Sequence, residues 1–160
     1  MELGSGCGLV GIAAGILGAA EVVLTDLEYT LPILKQNIAK NRCSIESSGC
    51  ARMSCMVCDW FDPKPSSEFG FSSGALMKPK TNTIDLILVA DCVWVDELVR
   101  PLLTTLKKYQ CKTIISYQRR GQAAHDTLMN GLEEIFYVRH EDKFKCDVSN
   151  NLHIFECNVK

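Results

Sequence analysis

The sequence predicts an α/β fold: a mainly parallel sheet with helices on both faces and an antiparallel pair of strands at its C-terminal edge. Three observations carry that expectation. Short apolar runs with strand character alternate with segments whose apolar residues recur every three or four positions, the pattern of parallel strands joined by crossover helices. A glycine-rich segment, Glu2-Leu3-Gly4-Ser5-Gly6-Cys7-Gly8, stands before the first helical stretch. An acidic residue, Asp26, closes the next apolar run, Val22-Val23-Leu24. Glycines let backbone approach a ligand with no Cβ in the way, and a carboxylate just past the next strand suits the two hydroxyls of a ribose. The chain therefore reads as beginning with a nucleoside-binding turn.

The elements follow in order. The first strand is clipped to about Met1-Glu2-Leu3, and residues 8–20 read as a buried helix rich in Gly and Ala. Residues 22–25 form a short buried strand. Leu31, Leu34 and Ile38 recur at helical spacing, with Pro32 tolerated in the first turn. Residues 52–58 and, most clearly, 84–90 (Ile-Asp-Leu-Ile-Leu-Val-Ala) are strands. Leu98, Val99, Leu102, Leu103 and Leu106 share one helical face, with Asp96 and Glu97 before it and Lys107 and Lys108 at its end, as the helix dipole favours. A strand over 112–117, a helix marked by Ala124, Leu128, Leu132 and Ile135, and two strands over 136–140 and 152–157 complete the chain. The last two follow one another without a helix, hence the antiparallel edge pair, joined by a polar connection over 141–151. Residues 62–83 carry three prolines and no sustained period, and read as a long loop.

Composition narrows the function classes. The 160 residues suffice for one domain, 1–160, and 47% hydrophobic residues suffice for a core. A net charge of −2 without long charged blocks gives no case for nucleic acid or an anionic membrane surface. The longest apolar stretch, residues 9–20, is too short for a bilayer span and lacks the start of a signal peptide. Nine cysteines, scattered through apolar segments, fit reduced thiols in the cytosol or nucleus. Cys43, Cys50, Cys55 and Cys58 lack a second paired set of familiar spacing, so no metal is expected.

Two chemistries compete for the glycine turn. Gly6-Cys7-Gly8-Leu9-Val10-Gly11 satisfies the dinucleotide pattern, with Asp26 at a suitable distance, so a nicotinamide-dependent oxidoreductase is permitted. The frame Glu2-x-Gly4-x-Gly6-x-Gly8 adds an acidic residue placed to bind an amino group directly or through water. S-adenosyl-L-methionine, with a ribose and a methionine tail, would use both carboxylates. Asp59-Trp60 and Asp91-Cys92-Val93-Trp94 follow the third and fourth strands, at the carboxyl edge where open α/β sheets bind ligands. An indole there can cover an adenine or meet a sulfonium by cation–π attraction. As isolated residues, Trp60 and Trp94 read equally well as core aromatics.

Taken together, Glu2 to Ile12, Leu24-Thr25-Asp26-Leu27, Trp60, Leu88 to Trp94 and Ser116-Tyr117-Gln118-Arg119-Arg120 resemble the seven-β-strand, S-adenosylmethionine-dependent protein-lysine methyltransferases of the methyltransferase-like 21 group. The resemblance runs from residue 2 to about residue 140. It implies a Rossmann-like class I methyltransferase sheet ending in an antiparallel hairpin, and a protein substrate presenting a lysine. It also implies site residues. Gly4, Ser5 and Gly6, with Glu2 and Gly8 in the same turn, would line the cofactor loop, and Asp26 would hold the ribose. Trp60, beside Asp59, and Ala90 would contact the adenosyl part. Asp91 and Trp94 would face the substrate lysine. Two departures stand out: Trp94 occupies a position where the family usually has tyrosine, and the family's segment before the glycine motif is missing here. The clipped first strand predicts weak cofactor binding and a tendency to aggregate. A small-molecule N-methyltransferase and a truncated, non-catalytic interaction module are the other readings the sequence allows.

Overall fold

The computed structural model describes residues 1–70, 84–140 and 152–160. They form two compact units, Met1–Ile84 and Asp85–Lys160. Residues 71–83 of the expected loop and the connection over 141–151 lie outside the described residues.

The first unit runs β1 (Glu2–Leu3), α1 (Leu9–Ile16), β2 (Glu21–Asp26), α2 (Leu31–Lys40), α3 (Arg42–Ser47) and β3 (Arg52–Val57). Its strands lie in the order β3-β2-β1. All are parallel, with Glu2 opposite Leu24 and Asp26 opposite Val57. The central strand β2 buries Val22, Val23 and Leu24, each contributing about 1.5–3 kcal/mol relative to an exposed side chain. Ile12, Leu34, Ile45 and Cys50 complete this core around Val22 and Leu24. Helix α1 lies against β2 and β3 at glycine distance: a Cβ on Gly11 would stand 2.1 Å from Leu24 Cδ2, and one on Gly15 would stand 2.3 Å from Met53 Cε. The helix ends at Ile16 rather than Ala20, because Gly18 turns the chain with a φ of 99°. Helix α3 was not legible in the sequence; it buries only Ile45, too little to show a period. Ser66–Phe69 makes a turn of 3-10 helix and buries Phe69.

The second unit runs β4 (Ile87–Ala90), α4 (Val99–Tyr109), β5 (Thr113–Gln118), α5 (Gln122–Ile135), β6 (Phe136–His140) and β7 (Leu152–Val159), in strand order β4-β5-β7-β6. Strands β4 and β5 are parallel, and β7 pairs antiparallel with both β5 and β6. The expected antiparallel pair is thus present. Helix α4 buries Val99, Leu102, Thr105 and Leu106, the i, i+3, i+6, i+7 stripe of an amphipathic helix. Strand β5 alternates buried and half-buried residues, with Thr113, Ile115 and Tyr117 inward. Among the described residues no helix is long and apolar enough to cross a membrane.

Candidate active site

In the first unit the sequence-predicted residues gather where the strands end. The glycine turn leaves β1 with Gly4, Gly6 and Gly8 at φ of 63°, 54° and 84°, the left-handed backbone that favours glycine. It is stitched to β2 by main-chain and side-chain bonds. The Ser5 amide donates to the Thr25 carbonyl at 2.9 Å, and the Thr25 amide donates to Ser5 Oγ at 3.0 Å. Thr25 Oγ1 donates to the Glu2 carbonyl at 2.7 Å. From the other side Asn37 of α2 donates to the Cys7 carbonyl at 2.7 Å. Ser5 is therefore a fastener between strands, with its side chain buried. Gly8 owes its identity to packing: a Cβ there would stand 2.9 Å from Leu34 and 3.0 Å from Leu24. Gly6 differs, since a Cβ there would meet nothing within 4 Å. The space above it is open.

Two carboxylates flank this turn. Asp26, half-buried at the end of β2, accepts from the Gly6 amide at 2.7 Å through Oδ2. Through Oδ1 it accepts from the Leu27 amide at 2.7 Å and from Thr30 Oγ1 at 3.1 Å. These three donors fix its direction and leave about one of its four acceptor sites, on Oδ2, for a ligand. Glu2 is only 2% exposed and accepts from the Gly11 amide in the first turn of α1 at 3.1 Å. Burial pushes its carboxyl above the ordinary value, partly opposed by hydrogen bonds from Ser5 and the Gly11 amide. Asp59 and Trp60 follow β3, whose ladder extends one step past the strand through the Cys58 amide and the Asp26 carbonyl at 3.0 Å. Asp59 Oδ1 accepts from the Phe61 amide at 2.9 Å, an Asx turn that sets the course of the chain around the half-buried Trp60.

In the second unit Ala90 ends β4 opposite Ser116. Asp91 follows it in left-handed backbone, φ 50°, with its amide donating to the Ser116 carbonyl at 2.8 Å. Its carboxylate receives a two-pronged guanidinium: Arg120 Nη1 to Oδ1 at 2.8 Å and Nη2 to Oδ2 at 2.6 Å. Arg120 Nη2 also reaches Gln118 Oε1 at 3.2 Å. Arg119, the neighbouring cation, hydrogen-bonds Gln122 instead. Trp94 is 64% exposed, so it is no core aromatic. Sequence reasoning noted the 116–120 segment but gave Arg120 no role. The signal was available: an acid at the end of one parallel strand and an arginine just past the end of its neighbour.

Cys92 Sγ donates to the Ala90 carbonyl at 3.3 Å, so one thiol braces the end of β4, while Cys111 and Cys157 are buried in the second unit. Burial pushes Cys111 up to about 11 and Cys157 up to about 12, so both stay protonated near neutrality. Among the described residues no group of three or more His, Cys, Asp or Glu side chains is placed to hold a metal ion.

Residues 1–135 match the model of a family described as lysine methyltransferase. The chain is 29% identical over 170 residues to the protein-lysine N-methyltransferase EFM6 of Saccharomyces cerevisiae, covering 98% of this chain and 65% of that protein. It is 29% identical over 168 residues to the protein N-lysine methyltransferase METTL21A of Xenopus tropicalis, covering all of this chain and 66% of that protein. The chain thus spans just under two thirds of the length of these relatives. Among solved structures, the N-terminal domain of human METTL16 in complex with SAH superposes with a TM-score of 0.58 at 11% identity, over 99% of this chain and 60% of that one. That likeness establishes a common fold, the Rossmann-like class I sheet with its C-terminal antiparallel hairpin.

Proposed function

The chain belongs to the lysine methyltransferase family, and from that premise we propose that it transfers a methyl group from S-adenosyl-L-methionine to a lysine side chain of a protein. The observation that carries this reading is the glycine turn held against Asp26: a main-chain cradle with open space at Gly6 and a carboxylate fixed beside it. These residues fit a nucleoside-bearing cofactor. Gly4 and Gly6 would let it approach the backbone, Asp26 would take a ribose hydroxyl, and Trp60, in the same unit, would face its adenosyl part. Glu2 would reach the methionine amino group from beneath the turn, through water, while keeping its bond to Gly11. When bound, this cofactor supplies an electrophilic methyl group on a sulfonium.

The protein's own share is alignment and proton control. The lysine amine must arrive neutral, because an ammonium has no lone pair. Its lone pair would accept the methyl group, the electrons of the S–CH3 bond remaining with the cofactor's sulfur. The proton shed by the ammonium goes to solvent water. Asp91 is the residue to orient the amine and Trp94 to flank it; an indole shapes a channel but cannot act as a phenolic acid or base. Positioning of this kind supplies much of the acceleration in bimolecular transfers. Cysteines scattered through apolar segments suit a site of action in the cytosol or nucleus.

Incubation of the protein with tritiated S-adenosylmethionine and a cell lysate, followed by hydrolysis and amino-acid analysis, tests the reading. Label in methyllysine of one or a few proteins is the expected result. Label confined to small molecules, or none at all, would overturn it.

A further inference from the structure

Resting on that reading, we propose that Arg120 is a positioning residue for methyl transfer: it neutralises and orients Asp91, so that this carboxylate accepts a hydrogen bond from the lysine amine without holding it as an ammonium.

The geometry is specific. Asp91 has left-handed backbone that most residues avoid and aspartate tolerates. Its amide is pinned to Ser116 of β5. Four residues beyond Ser116, the fork of Arg120 meets both carboxylate oxygens, with Gln118 steadying the same guanidinium. The pair is open to solvent, the side chains of Arg120 and Asp91 being 41% and 49% exposed. An exposed ion pair adds little to stability, so two side chains fixed in a two-pronged pair at this edge call for another purpose.

Chemistry supplies one. A carboxylate presents about four lone-pair sites, and the fork takes one on each oxygen, so an incoming amine N–H still finds an acceptor. An unpaired carboxylate beside a lysine favours the ammonium and works against the reaction. Paired with a guanidinium, it keeps its direction while the local charge falls to zero. Of the other titratable groups nearby, Arg119 and Asp96 flank the segment. Tyr117 is neutral, its phenol pushed up by burial. His125 and His153 stack on the Tyr117 ring at 6.0 and 6.3 Å. Variants that keep all five differ from the native protein only in the Asp91–Arg120 charge.

The test is the pH profile of label transfer to the acceptor protein identified in the lysate, for the native protein, Arg120→Gln and Asp91→Asn. In Arg120→Gln the ascending limb of kcat should move up by about one pH unit, making transfer about tenfold slower near neutrality and nearly equal at alkaline pH, with KM unchanged or lower. In Asp91→Asn the unpaired guanidinium should move the limb to lower pH and raise KM. Limbs that stay in place, shift the same way, or fall uniformly at every pH would overturn the role of Arg120 while leaving the methyltransferase reading intact. If Arg120→Gln fails to fold, the acid-side shift in Asp91→Asn decides. A native protein that labels nothing defeats the methyltransferase reading, and this inference with it.

Discussion

The glycine turn of the first unit and the β4–β5 edge of the second each present a carboxylate, but they hold it by different means. Asp26 and Glu2 are gripped mainly by main-chain amides, those of Gly6, Leu27 and Gly11, with Thr30 Oγ1 as an added side-chain donor to Asp26. Asp91 is gripped by one side chain, Arg120, in the open. Amides belong to the fold and cannot be exchanged without rebuilding it. A guanidinium is a substitution away from being lost. The first arrangement suits a ligand bound the same way in every cycle, the second a group whose charge must be set while a substrate comes and goes.

That contrast can be broken from the cofactor side first. Leu24 is fully buried beneath both Gly8 and Gly11. Leu24→Ala should cost about 3 kcal/mol in chemical denaturation, through lost burial and the cavity left behind. Next comes Gly11→Ala, whose Cβ collides with Leu24 and with the Glu2 carboxylate; about 2 kcal/mol is expected from overpacking. Gly6→Ala meets no atom and should cost only the left-handed backbone, about 1 kcal/mol, yet it fills the open space and should weaken cofactor binding more than Gly11→Ala does per unit of stability lost. Equal losses in the two variants would show that the turn is a packing device alone.

Glu2 offers a smaller effect with a definite sign. Its carboxyl is raised in the folded protein, so the folded state favours the protonated form. The associated stability is fully present below the ordinary value of 4.5 and is lost as pH rises through the raised folded value. Glu2→Gln removes that slope and keeps an acceptor for Gly11. Its melting temperature at neutral pH should equal or exceed the native one, and the two should diverge across the mildly acid range. A lower melting point for Glu2→Gln at neutral pH would mean that the buried charge supports the fold. Smallest of all, Arg120→Gln should leave the melting temperature unchanged within error, because its ion pair is exposed.

Much of this was legible in the sequence, for physical reasons visible in particular residues. Val22-Val23-Leu24 became a strand because a parallel strand buried on both faces needs continuous apolarity, and Ile87-Leu88-Val89 did so with one face buried and the other half-buried. The glycine turn and Asp26 came together because β1 and β2 are neighbours in parallel register. Strand β4 starts at Ile87, not Ile84, since its partner β5 begins only at Thr113. That depends on pairing, which a single strand's sequence does not encode. The tight burial of Glu2 and Ser5 was hidden for the same reason: both are polar, and their partners, Gly11 and Thr25, lie 9 and 20 residues away. Arg120 is 29 residues from Asp91 and meets it only through the β4–β5 ladder.

The most direct measurement is calorimetric titration of S-adenosylmethionine and, separately, NADH into the native protein and Asp26→Ala. Saturable binding of S-adenosylmethionine that weakens at least about tenfold in Asp26→Ala, about 1.4 kcal/mol, with no heat from NADH, is the expected result. Equal affinity in both proteins, or saturable NADH binding at the native site, would contradict the assignment of the glycine turn and Asp26 to the methyl donor.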